Sequence, residues 1–185
     1  LKNMAIDAFL VGGGGGAGSS YCGEGGAGYT TTVRSVVLTA NTAYSIVVGA
    51  AGTNGHPTSA TTDGETTAFT ASAAGGKNTS NGTSSSKRPG GAGGSGGAGY
   101  VSPVATTTGG TDGGDGTSSA TTGGKGQGTT TREFGEADGT LYASGGGSNL
   151  TATVSNSGNG GRNGITSIEP ADGIVVIRQH KEVAA

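Results

Sequence analysis

The apolar positions of the chain fall into short runs separated by long stretches almost free of large side chains. The runs are Ala5 to Val11, Val33 to Leu38, Tyr44 to Val48, Thr66 to Ala71, Thr151 to Ser155 and Ile174 to Arg178, and most are rich in β-branched residues. Their length and composition predict strands, and no segment carries apolar residues at helical spacing. The five residues Thr39 to Ala43 between the second and third runs suit an antiparallel hairpin of 33–38 with 44–48. The first and last runs, 5–11 and 174–178, are expected to pair as well.

Between the runs lie glycine tracts, at 12–28, 90–99, 109–128, 145–147 and 158–164. In 90–99 (GGAGGSGGAG) Ala92, Ser95 and Ala98 recur every third residue, as do Gly158, Gly161 and Gly164. Three is the period of the polyproline II helix, which has no internal hydrogen bonds, so every backbone N–H and C=O must find a partner outside its own helix. Parallel bundling of glycine helices would supply those partners, provided no Cβ holds the backbones apart. A glycine face then marks a neighbour. Gly12 to Gly16 is expected to be surrounded on every side, whereas Ala92, Ser95 and Ala98 should point outward or toward looser contacts. The repeated GGAGY at 25–29 and 96–100 suggests that Tyr29 and Tyr100 close one end of the bundle onto the sheet, with sugar stacking as the functional alternative. The predicted fold class is mainly β and irregular. It is a bundle, or sandwich, of polyglycine II helices framed by short antiparallel strands, with no α-helix of note, in one domain over residues 1–185.

Composition narrows this picture. Gly fills 43 of 185 positions, and only 30% of residues are hydrophobic and 4% aromatic, so a conventional core is small. A net charge of −2 and 12% charged residues oppose disorder, and they leave no electrostatic footprint for nucleic acid. Four prolines and the missing strict repeat oppose collagen. The longest apolar stretches, such as Ala8 to Val11 and Ile174 to Ile177, fall far short of the roughly 20 residues that span a bilayer. Leu1 to Met4 does not read as a signal peptide, which suggests export by another route, a cut-down piece or release by lysis. The single Cys22 excludes an internal disulfide and a cysteine-only zinc site.

Phe9-Leu10-Val11 running into Gly12 to Gly16, the GGAGY at 25–29, Ser45 to Gly49, REFGE at 132–136, GTLYA at 139–143 and GIVVIR at 173–178 form an ordered set. Together they resemble the glycine-rich domain of phage and prophage tail proteins across essentially the whole chain. The resemblance implies a tail-fibre tip or adhesin, located on the virion and extracellular after release, in which a polyglycine II sandwich presents variable loops to a bacterial receptor, a glycan or a surface protein. A companion tail-fibre protein is a further partner on this reading, and a homotrimer is compatible with it. The chain departs from the pattern at 148–157 (SNLTATVSNS), read as a receptor loop or an extra strand.

Catalysis requires convergent groups, and the inventory of His56, His180, Cys22 and scattered carboxylates predicts neither an enzyme nor a cofactor. Asp112 and Asp115 in GGTDGGDG are faintly like calcium-binding repeats, but a single copy reads better as a solvated turn. Recognition is expected in the loops 53–64, 77–89 and 148–157 and at the bend near Tyr21. The candidate receptor-binding residues are Tyr21, His56, Asn78, Lys87, Arg88, Asn149 and Leu150, with Lys87-Arg88 suited to an acidic surface glycan or teichoic acid. A purely structural glycine-rich spacer and an ice-binding glycine bundle remain as alternatives.

Overall fold

The computed structural model describes residues 3–18, 22–54, 64–79, 88–100, 107–117, 123–163 and 167–179. The organising strand is β1 (Met4–Val11), whose residues from Ile6 onward are buried almost without interruption. A strand apolar on both faces needs cover above and below as well as partners on both edges. It receives β2 (Thr30–Leu38) on one edge and β6 (Ile174–Gln179) on the other, both antiparallel, with Leu10 opposite Thr31 and Val175. The expected pairing of the first and last strands is therefore present.

The expected hairpin of 33–38 with 44–48 is not formed. Strand β3 (Ile46–Val47) joins β4 (Thr66–Ala68) and β5 (Ala71–Ala73) in a second sheet of order β3-β4-β5. The competing partner is the buried β1, which claims β2, so Thr39 to Ala43 link two sheets rather than two paired strands. The run at 66–71 is split by a two-residue turn at Phe69 and Thr70, both with positive φ (51° and 65°), and continues as β5. Residues 151–155 form no strand and are fully exposed. The two faces of β1 nucleate two small cores, as strand alternation requires. Phe9 and Val11 pack with Ala27, Phe134 and Ala143, and Ala8 and Leu10 pack with Ala68 and Ala73.

Beyond the sheets the chain is a lattice of glycine helices, and among the described residues there is no α-helix. In tract 12–18 the N–H groups of Gly12 and Gly15 donate to the carbonyls of Tyr29 (3.0 Å) and Gly26 (2.8 Å), three residues apart on one neighbour. Gly13 donates to Gly64 and Gly14 to Ala171, while the carbonyls of Gly13, Gly14 and Gly15 accept from Gly76, Gly52 and Gly161. Six different segments thus surround one helix. The second tract repeats the rule: Glu24 and Ala27 donate to Ala98 and Ser95, Gly25 and Gly28 to Gly161 and Gly158, and Gly26 and Tyr29 to Lys77 and Ala74. A change of neighbour at each residue and a return at every third is the signature of the threefold polyglycine II helix.

The spacing that permits these bonds excludes side chains. A Cβ on Gly14 would fall closer than 3.0 Å to the carbonyl of Asn159, and one on Gly25 or Gly28 would strike the carbonyls of Gly15 and Gly12. Ala27 is tolerated because its methyl lies on the third face, against the methyl-bearing Ala143.

Two expectations about the tracts are corrected. The bundle is not parallel throughout: bonds pairing 12 with 29 and 15 with 26 run antiparallel, whereas those pairing 13 with 76 and 16 with 79 run parallel. Tract 90–99 is not one helix but two, bent at 93–95, so that Gly97 donates to Gly91 across the fold (2.8 Å). The period of three reads equally well through both arms and hides the reversal. Only Ala92 keeps partial exposure, while Ser95 and Ala98 are fully buried and the Ser95 hydroxyl accepts from Gly113 N–H (3.1 Å). Tyr29 does abut the sheet, directly ahead of β2, but Tyr100 bridges Arg88 at the opposite end of the bundle.

Gly14→Ala should therefore abolish cooperative folding or cost more than about 4 kcal/mol, whereas Ala92→Val, at a face with room, should cost about 1 kcal/mol or less. Urea melts of the two variants followed by circular dichroism will decide; equal losses would contradict the lattice.

Candidate functional site

The bundle has two unlike ends. At one, Met4 lies opposite Leu38 and Ile6 opposite Gln179, so the first and last described residues of the sheet are neighbours. At the other, the residues that flank most of the connections between tracts are tied to one another. Gly18 N–H donates to the Thr79 hydroxyl (3.0 Å), which in turn donates to the Gly23 carbonyl. Arg88 bridges Tyr100, Gly99 donates to Thr117, Thr117 to Thr108, and Arg162 bridges Ile168. The connections 19–21, 80–87, 101–106, 118–122 and 164–166 all begin and end at this set of residues. The connection 55–63 leaves from it at Asn54 and rejoins lower, at Gly64, level with Gly13.

At this end the helices run out of backbone partners, and side-chain amides replace them. The N–H groups of Gly16 and Ala17 donate to Oδ1 of Asn78 and Asn54, and Asn54 Nδ2 donates on to the carbonyls of Arg162 (3.0 Å) and Ile168 (2.8 Å). An amide reproduces the donor and acceptor of a missing peptide group. Asn78, expected as a receptor contact, is therefore also a terminator of the central helix. The same holds for Asn149, whose Oδ1 accepts from Gly109 N–H (2.9 Å), while Leu150 is buried and its carbonyl accepts from Arg162.

Of the sequence-predicted residues, the structure brings Asn78 and Arg88 together. Both line a concavity of about 310 Å³ between segments 77–79 and 88–92, with Lys77, Thr79 and Pro89. The Arg88 Nε is buried there without a hydrogen-bond partner. A buried donor left in that state costs about 1–3 kcal/mol. Tyr21, His56 and Lys87 lie outside the described residues. Asn149 and Leu150 sit on another part of the same end, away from this concavity.

Asp112 and Asp115 occupy a tight turn, as expected, with Gly114 N–H donating to the Thr111 carbonyl. Their carboxylates are engaged by protein groups: Asp112 by Thr130, Thr131 and Arg132, and Asp115 by Lys125 and Gly126. These contacts, led by the hydroxyl of Thr130 and the ammonium of Lys125, hold both carboxyls below the usual range.

Glu24, passed over in the sequence, is the one charged side chain inside a core glycine helix. Burial pushes its carboxyl up to about 7, against the opposing effects of the Asn163 N–H (2.7 Å) and the Arg162 charge. The signal was available as a lone carboxylate within GEGGAG.

The motifs that carry the sequence resemblance gather at the sheet end around a buried Asp7. Its Oδ1 accepts from Ser35 N–H (2.9 Å), at the bulge where β2 passes Ile6 and Ala8, and its Oδ2 accepts from Arg178 (2.9 Å) and Arg34 (3.4 Å). Arg178, the last residue of GIVVIR, also donates to Glu136 (2.7 Å) and lies over the Phe134 ring, 4.3 Å from its centroid. Phe134 of REFGE and Tyr142 of GTLYA both pack on Phe9, at 6.2 and 5.5 Å between ring centroids. Arg132 holds Asp112 and the Gly139 carbonyl, and Thr131 donates to the Tyr142 carbonyl. The ordered motifs are thus the contacts of one sheet end, and they fix the fold rather than a binding surface. A family described as glycine-rich domain matches residues 2–178. The chain belongs to that family. No curated protein and no solved structure matches it.

Two tests follow from the geometry of this glycine-rich domain. Glu24 binds a proton more tightly folded than unfolded, so the domain should lose stability as pH rises from about 4.5 to about 7, by on the order of 3 kcal/mol. Glu24→Gln should flatten that slope in urea melts across the range and be the more stable protein at pH 8. Asp7→Ala, which strands two guanidinium groups and the Ser35 N–H, should cost about 3–5 kcal/mol, and a loss under 1 kcal/mol would show that the network is dispensable.

Proposed function

We propose that this glycine-rich domain is a receptor-binding tip of a phage or prophage tail fibre, recognising the surface of a bacterial host through the connections between its glycine helices. The observation that carries this reading is the polarity of the bundle. Nearly all the tract connections start and finish at one end, and Met4 and Gln179 stand close together at the other. A rigid scaffold whose connections leave and return at one end suits recognition by loops that change sequence without changing the frame. A load-bearing spacer is poorly served by the same arrangement, because a chain that enters and leaves side by side adds no length to a fibre.

The resemblance of REFGE, GTLYA and GIVVIR to tail proteins supports the assignment to a virion. The concavity at Lys77 to Thr79 and Arg88 to Ala92 supplies the candidate contact surface, with Lys87 next to Arg88 in sequence and Tyr21 and His56 on other connections.

A fluorescent-protein fusion of the domain should stain a subset of strains in a panel of bacterial cells. Exchanging residues 80–87 for a Gly-Ser segment of equal length should abolish staining without altering the circular dichroism spectrum. A folded domain that stains no strain would reject the reading.

A further inference from the structure

Among the described residues, most of the cations lie against a carboxylate. Arg34 and Arg178 share Asp7, Lys125 holds Asp115, Arg132 holds Asp112, and Arg162 lies within Coulombic reach of Glu24. Lys77 and Arg88 are the two remaining cations among the described residues, and no described carboxylate pairs with either. They come from different tracts, yet both line the concavity between 77–79 and 88–92.

Two like charges converging on one concavity oppose folding unless something else is gained, and the rest of the lining sharpens the point. The side-chain acceptors of Asn78 and Thr79 are directed to Gly16 and Gly18 of the lattice. The Arg88 Nε has no acceptor at all. Glu24, whose backbone carbonyl accepts from Gly91 beside the concavity, turns its carboxylate onto Asn163 and its Cβ toward Gly146. The whole segment 77–89 (KNTSNGTSSSKRP) holds three cations and no Asp or Glu, in a chain whose net charge is −2. Serine, threonine and asparagine supply the rest of its polarity.

We infer that the Lys77–Arg88 concavity is an anion subsite for an acidic glycopolymer, in which the Arg88 guanidinium and the Lys77 ammonium grip one carboxylate or phosphodiester of a repeating chain. This rests on the receptor-binding reading and names the ligand class for it. At about 310 Å³ the site stands at the lower end of ligand pockets, roughly 300–1,000 Å³, which fits one charged unit of a polymer rather than a folded protein surface. An arginine and a lysine on the wall of one concavity together supply directional and diffuse contact to an oxyanion. The shared chemistry is the repeating anion, whether it comes from a uronic-acid polysaccharide or a polyol-phosphate polymer.

Titration calorimetry on the intact domain with an oligogalacturonate, a glycerol-phosphate oligomer and a neutral dextran oligomer of matched length separates these sources. One acidic oligomer should bind and the neutral one should not. Lys77→Gln with Arg88→Gln should weaken that binding at least tenfold, while Lys125→Gln, at an exposed pair elsewhere, should leave it within twofold. Absence of binding by both acidic oligomers, or equal weakening in the Lys125 variant, overturns the subsite. The receptor reading is judged separately: staining of cells that survives the Lys77/Arg88 change would leave that reading standing and remove this one.

Discussion

The structure depends on one requirement, that a backbone without side chains must satisfy its own hydrogen bonds from its neighbours. A polyglycine II helix offers nothing to itself, so each residue of tract 12–18 turns to a different segment, and the third residue returns to the first. Glycine is demanded here by distance. The carbonyls of adjacent helices occupy the volume that a Cβ would need at Gly12 to Gly16. What a conventional domain draws from large apolar side chains is drawn here from close backbone contact, with two small hydrophobic clusters on either face of β1 among the described residues.

A lattice of identical helices has no intrinsic register, and the sheet end provides it. Strand β1 runs straight into the central helix, β2 leaves the second tract, and β6 receives the chain from Gly173. Asp7 fixes the order of these three strands by bonding to groups on both flanking ones, and Arg178 extends the tie to Glu136 and Phe134. The opposite end is closed by amides and hydroxyls, so that Asn54, Asn78 and Thr79 stand in for peptide groups where the helices stop.

Much of this was legible in the sequence because the constraint is written in residue type. The glycine runs, their period of three, the fully surrounded 12–16 helix and the pairing of 5–11 with 174–178 all follow from the absence or presence of Cβ atoms. The hairpin of 33–38 with 44–48 was misread because local spacing cannot reveal that a doubly buried strand elsewhere competes for the same partner. The reversal inside 90–99 was invisible because Gly-Gly-X is symmetric under it, and Ser95 and Ala98 went from outward to buried as a result. At the candidate site, Asn78 and Arg88 were legible as polar residues in a loop-like segment, but their convergence with Lys77 depends on which tracts lie side by side. The signal for Glu24 is its isolation among glycines, whereas its burial depends on which tracts surround it.

The central helix is made early in the chain, yet its partners include Gly64, Gly76, Gly161 and Ala171. An emerging polypeptide thus carries residues 12–18 with part of their backbone bound only to water until Gly161 and Ala171 have left the ribosome. Contacts of such long sequence separation form slowly, because loop closure must be met before any lattice bond repays it. Folding of this domain is consequently a late, collective event, and the same interdependence makes the finished bundle slow to come apart from any one edge.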